Sequence, residues 1–284
     1  MIVRPDCGPR ITTHRWNRQD GPMSSAPKKQ SPRLLRQQKI VDHVVSNGFA
    51  SAAELSNLTG VSLMTVHRDL DDLVTRGLLR KFHGGVSAQP STVFESSSDF
   101  RLHTHTREKE ALAAEGLRMV APGMSVMIDD STTALALARL LPDVGPLTVV
   151  SNYRQVQEAL REVPDIRLIG LGGEYSRTHD SYVGLPCQEM VSSFSVDIVF
   201  LSTSAMNAQM TYHQEQEIVL VKRAMLESAS TRVLMMDASK VGRAALHRFA
   251  PVSAFDHVLL AGEFDPELVE AMREHTDVRQ AALT

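Results

Sequence analysis

Residues 51–73 read SAAELSNLTGVSLMTVHRDLDDL. Ser51 with Glu54 three positions later forms a capping box, so a short helix opens there and runs through Leu58. Gly60 breaks it, and Ser62 caps a second helix. On that helix Val66, Leu70 and Leu73 share one face. At about 100° per residue, Met64 and Arg68 fall nearly opposite them, with Thr65 and His67 on the flanks. Two helices joined by a short glycine-containing turn make a helix-turn-helix.

The flanking sequence extends the unit. Leu35, Ile40, Val44 and Val45 recur at helical spacing and predict an earlier helix ending at Asn47 and Gly48. After Gly77, residues 78–82 predict a short strand, and Gly84 and Gly85 a tight turn. A winged helix-turn-helix therefore spans residues 33–87. Residues 1–32 are rich in Pro, Ser, Gln and Arg without apolar periodicity and are read as a disordered tail. Met23 is an alternative start for the chain.

Such a unit meets DNA through its second helix, whose N-terminal outward residues face base edges in the major groove. Arg68 can pair bidentately with guanine, Thr65 can reach a phosphate or a thymine methyl, and His67 can donate to guanine N7 or a phosphate. Met64 shares that outward face. The Ser62 end offers backbone amides to a phosphate. In the wing, Arg80, Lys81 and His83 are placed to grip the neighbouring backbone. The competing reading is a helical unit for protein contacts, with Arg68 bridged to Asp71 or Asp72.

Charge divides the chain in the same place. Residues 1–85 hold 13 Lys and Arg against 7 Asp and Glu, while the remainder holds 17 against 26. A basic head on an acidic body suits a polyanion partner. The two cysteines, Cys7 and Cys187, are too far apart in sequence to suggest a disulfide framework or a metal-ligand spacing. No apolar run approaches the ~18 residues of a membrane span, and the first twenty residues do not read as a signal peptide. A cytoplasmic protein without membrane contact is the expectation.

Residues 88–106 read as a polar linker, and residues 107–284 as a larger domain. There, apolar runs at 126–128, 148–150, 166–169, 198–201, 233–236 and 258–260 alternate with helical stretches. Continuous apolarity implies strands buried on both faces, hence a mostly parallel sheet between helices: a Rossmann-like α/β domain.

Candidate ligand residues gather at the carboxyl ends of those strands, where open α/β sheets bind ligands. Asp130, Ser131, Thr132 and Thr133 follow the first run and can offer hydroxyls and amides to a phosphate, although Ser131 is equally suited to plain helix capping. Asn152 follows the second and can bond a sugar hydroxyl. Gly172 and Gly173 follow the third and allow close backbone approach. Asp237 and Lys240 follow the fifth; the lysine can neutralise phosphate while the aspartate orients it. The pattern is not GxGxxG, so no dinucleotide is expected, nor any other cofactor or metal.

The stretch from Val61 to Leu70, followed by Leu73, Gly77, Leu79, Arg80, His83, Gly84 and Gly85, resembles the signature of DeoR-type bacterial regulators. His67 stands where that family usually has Arg. The loop at Asp130–Thr133, the run from Thr148 to Asn152, Gly172, Gly173, and the segments 197–202, 222–225 and 237–240 resemble the family's effector domain, with Ser131 where many members have Gly. The resemblance covers about residues 34–275. It implies a fold related to sugar-phosphate isomerases and a phosphorylated sugar or related metabolite as effector. It also implies binding to double-stranded operator DNA as a homo-oligomer, a dimer or a tetramer. The alternative is an isomerase-like enzyme with an appended nucleic-acid-binding head, in which Glu215 or Glu217 serves as general base. No nucleophile–base constellation supports it, so no catalytic residue is assigned.

Overall fold

The computed structural model describes residues 32–47, 49–75, 78–82, 84–87 and 98–283. The tail at 1–31, Gly77, His83 and the first part of the expected linker, 88–97, lie outside the described residues. The head comprises α1 (Pro32–Asn47), α2 (Ala52–Thr59), α3 (Leu63–Thr75), β1 (Arg80–Phe82) and β2 (Gly85–Ser87). Ser51 Oγ accepts from the Glu54 amide, and Gly60 ends α2 at φ 69°, a left-handed turn that favours glycine. Arg80–Phe82 pairs antiparallel with Gly85–Ser87 to form the wing.

The head's core is Ile40, Val41, Val44, Leu55, Val66, Leu70, Leu73, Leu78, Leu79 and Val86. Two expectations need correction. Leu35 is 53% exposed, because the buried stripe of α1 runs through Gln37, Ile40, Val41 and Val44, and Leu35 lies on the far side of it. The strand begins at Arg80, not Leu78: Leu78 and Leu79 turn into the core ahead of it.

The larger domain opens with α4 (Ser98–Leu102), which lies inside the stretch read as linker. It continues with α5 (Thr106–Leu117), β3 (Ser125–Ile128), α6 (Thr132–Ala138), β4 (Leu147–Ser151), α7 (Arg154–Leu160), β5 (Ile166–Gly170), β6 (Glu174–Ser176) and β7 (Ser181–Val183). Then come α8 (Gly184–Ser192), β8 (Val196–Leu201), β9 (Ala205–Met206), β10 (Met210–His213) and α9 (Gln216–Glu227). The chain closes with β11 (Ala229–Asp237), β12 (His247–Pro251), β13 (His257–Ala261), α10 (Pro266–Arg273) and β14 (Asp277–Gln280).

Seven strands form one parallel sheet in the order β14-β13-β11-β8-β3-β4-β5. All six apolar runs read from the sequence lie in it. Its two faces carry separate cores. Val126, Ile128, Val149, Phe200, Val233 and Met235 pack beneath α5, α6 and α7. Met127, Val150, Val199, Leu201, Leu234 and Met236 pack against residues of α8, α9 and α10. The chain runs outward from β3 through β4 to β5, then returns to β8 on the other side of β3. That reversal makes the carboxyl ends of β3 and β8 the topological switch point, the position at which such sheets hold ligands.

Candidate functional sites

On α3 the exposed side is the predicted one. Met64 is 67% exposed, His67 and Arg68 face solvent, and Thr65 is half-buried with its Oγ1 3.0 Å from Ser62 Oγ. The Thr65 amide donates to Ser62 Oγ at 3.4 Å, so Ser62 caps the helix as read. Asp71 and Asp72 do not take Arg68. Asp71 pairs with Lys81 of the wing, and Asp72 with Arg33 and Gln37 of α1. Among the described residues Arg68 has no acidic partner; its Nη2 lies 4.0 Å from Met64 Sδ. Arg80 is exposed on β1. One feature of α3 was not legible as such: Asp69, next to Arg68, is buried.

In the larger domain the carboxyl ends of β3 and β8 are dense with charge. Asp129 and Asp130 end β3, and Lys222 of α9 reaches both, donating to Asp129 Oδ2 at 2.5 Å and Asp130 Oδ1 at 2.8 Å. All three are buried. Asp129 also accepts from the backbone amides of Ser131 and Ser202, which ties β3 to β8. Ser181 donates to Asp130 Oδ2 at 2.9 Å. Burial alone would raise the Asp130 pKa, but Lys222 and the nearby His179 hold it well below the ordinary carboxylate range.

A second group of charges is cationic. Lys109 of α5 is buried, and its Nζ donates to the Arg101 and Thr104 carbonyls. Burial, then repulsion from Lys240 and Arg101, pushes its pKa down to about 7, with Asp237 opposing. Lys240 Nζ lies 3.5 Å from Asp237 Oδ2 and 3.3 Å from Ser202 Oγ. Arg101 Nη2 meets His179 Nδ1 at 3.1 Å, and His179 Nε2 meets Glu215 at 2.9 Å. Thr132 Oγ1 donates to the Arg101 carbonyl at 3.3 Å.

Residues 98–102 are therefore no linker. Ser98 is buried against Tyr153 Oη, and its amide donates to the Thr178 carbonyl at 2.7 Å. The polar composition of 88–106 concealed this helix because α4 docks through hydrogen bonds.

The remaining expected residues separate. Ser131 caps α6 by accepting from the Ala134 amide at 3.0 Å, and Thr132 and Thr133 are buried beside it. Thr133 Oγ1 and Asn152 Oδ1 are buried with no hydrogen-bond partner among the described residues. Gly172 and Gly173 are exposed beyond β5, at the sheet edge, two strands from β3. Gly173 has its own reason to lack a side chain: at φ 148° a Cβ would sit 2.5 Å from the Val183 carbonyl oxygen and 2.9 Å from Cys187 Cβ. Glu217 is exposed at the start of α9, and Glu215 is engaged by His179.

Sequence reasoning missed Lys222, Lys109, Arg101 and His179. For two of them a signal existed. Lys222 occupies a core position between Ile218 and Met225, and Lys109 shares a buried stripe with Leu112, Ala113 and Gly116. A lysine on an apolar stripe marks a buried charge that needs a partner.

A family model described as the DeoR-like helix-turn-helix domain matches residues 36–92, and one described as the DeoR C terminal sensor domain matches residues 104–260. The chain belongs to the DeoR family. The HTH-type transcriptional regulator YgbI of Escherichia coli K12 is 32% identical over 79% of this chain and 88% of its own length. The glycerol-3-phosphate regulon repressor of the same strain is 29% identical over 84% of this chain and 95% of that protein. A ribose 5-phosphate isomerase from Methanocaldococcus jannaschii aligns with a TM-score of 0.36 at 15% identity, over 49% of this chain and 55% of that one. This DeoR-family protein is a DNA-binding transcriptional regulator with a small-molecule sensor domain, and both of these relatives are named as regulators. Among the described residues, no helix is long and apolar enough to cross a membrane.

Proposed function

We propose that the protein is a cytoplasmic repressor whose sensor domain takes a phosphorylated sugar or related metabolite as inducer. The observation that carries this is the gathering of Lys109, Lys240 and Arg101 at the carboxyl edge of the sheet, where Lys240 and Arg101 both disfavour the Lys109 ammonium. Three cations set against Asp237 form a region that an anion relieves. Thr132 stands beside them, and the buried oxygens Thr133 Oγ1 and Asn152 Oδ1 offer hydrogen bonds to hydroxyls. A ligand with an anionic end and a hydroxylated body meets both demands. The related glycerol-3-phosphate regulon repressor carries such a compound in its name.

Ser62, Met64, Thr65, His67 and Arg68 read the operator in this account, while Arg80, Lys81 and His83 hold its backbone. A homo-oligomer, at least a dimer, presents paired recognition helices to repeated half-sites. Coupling runs through α4. It is the first described element after the head, and its Arg101 carbonyl occupies Lys109 Nζ and Thr132 Oγ1, two groups the ligand uses. An inducer competing for them loosens α4. A coupling of about 1.4 kcal/mol gives tenfold relief of repression.

The test is titration calorimetry of the full chain with a panel of sugar phosphates and their unphosphorylated counterparts. A phosphorylated compound binds, its parent sugar does not, and Lys240→Ala weakens binding at least tenfold. Equal binding of the parent sugar would overturn the assignment.

A further inference from the structure

We propose that Asp69 is a positioning residue for operator reading, holding the recognition helix at a fixed azimuth by clasping α1. Its carboxylate is 2% exposed although its neighbour Arg68 faces solvent. Arg36 Nε donates to Asp69 Oδ2 at 2.6 Å, and Gln37 Nε2 and Arg33 Nε donate to Oδ1 at 3.2 and 3.4 Å. Asp72, one turn on, takes Gln37 at 3.0 Å and Arg33 at 3.4 Å. Asp71 holds Lys81 of the wing. The three acids of α3 thus brace it against α1 and against β1.

The apolar core shared by these elements does not set the azimuth alone, since apolar contact is non-directional. Charged hydrogen bonds do have direction and are about twice as strong as neutral ones. Because Asp69 and Arg68 are adjacent on one helix, fixing the first fixes where the second points. Base-edge contacts need that geometry, whereas phosphate contacts tolerate its loss. The clasp also uses the charges of Arg33 and Arg36, which are 56% and 20% exposed. Opening it frees Arg36 beside the recognition helix, while Arg33 keeps Asp72. Losing Asp69 therefore lowers specific binding while raising non-specific binding.

Asp69→Asn keeps the shape and removes the charge. Binding of the full chain is measured to a duplex it selects from a random-sequence library and to a scrambled duplex, across salt. Specific affinity is expected to fall at least tenfold. Affinity for the scrambled duplex is expected to hold or rise, with a salt slope steeper by about one as Arg36 engages a phosphate. Unchanged discrimination overturns the proposal, as does a parallel loss of both affinities with a lower melting temperature, which marks a merely structural role. Arg36→Gln decides the matter if Asp69→Asn does not fold. It removes the nearest partner without freeing a cation, so discrimination should fall several-fold with no steepening of the salt slope. Unchanged discrimination, or equal loss on both duplexes, counts against Asp69.

Discussion

Asp69 in the head and Asp130 in the sensor domain are both buried carboxylates held by cations, but their partners lie at different depths. Arg33 and Arg36 reach Asp69 from the surface, so that clasp can open into water. Lys222 is as buried as the two aspartates it holds. Opening that triad strands charge in the interior. The difference suits the proposed roles: the head presents an exposed reading surface, whereas the sensor holds its polar groups in the interior. Charge tunes orientation in the first region and integrity in the second.

The largest effect should come from Lys222→Met. It leaves Asp129 and Asp130 facing each other without a cation, a type of loss that costs about 3–5 kcal/mol. Calorimetry should show the sensor-domain transition at a markedly lower temperature. A small change would mean that the triad is not the interior support its burial implies.

Arg68→Ala should come next. Losing one bidentate base contact costs about 1–3 kcal/mol of discrimination, and binding to a scrambled duplex should change little. Retained specificity would break the comparison, because α3 would then not be the reading element.

Effector affinity should depend on pH through Lys109. Its pKa is about 7 in the free protein, since burial and Lys240 both disfavour the ammonium. A bound anion favours the ammonium and raises that pKa. Binding then takes up a proton above pH 7, so affinity falls as pH rises from 7 to 9, by up to about tenfold per unit. A phosphate monoester, with a second pKa of about 6, is already doubly ionised over most of this window. Flat affinity from pH 7 to 9 would remove Lys109 from the site.

The smallest effect belongs to Lys81→Ala. A free wing lysine would lower the salt slope by about one, but Asp71 already holds this one at the surface. The slope should therefore change by less than one, similarly on specific and scrambled duplexes.

How much of this was legible depends on the kind of interaction. The head could be read almost residue by residue, because Ser51, Glu54, Gly60 and Ser62 act locally and helix geometry sets the exposed face of α3. The six apolar runs gave the sheet, since strands buried on both faces need continuous apolarity. The seventh strand, β14, escaped because Asp277–Gln280 at the sheet edge is mostly polar. The antiparallel sheet of β9, β10 and β12 escaped because β9 is only two residues long and the buried residues of β10, Thr211 and His213, do not look like core. The sensor site was only half legible. Strand ends point to Asp130, Thr132, Asn152 and Lys240 as candidates, whereas Lys109, Arg101, His179 and Lys222 of the proposed site come from α4, α5, the β6–β7 connection and α9. Only the fold brings these elements together. Gly172 and Gly173 show the reverse case, glycines that suggested ligand approach but lie at the sheet edge.

In the mechanism proposed above, an anion bound at the sheet edge releases DNA held by α3. Its most direct test is a salt-titrated binding assay of the full-length protein on its selected duplex, with and without the sugar-phosphate panel. Salt-sensitive, sequence-specific binding is expected, weakened at least tenfold by one phosphorylated compound and unaffected by that compound in Lys240→Ala. Specific binding that no panel member alters, or that responds equally in Lys240→Ala, would contradict it.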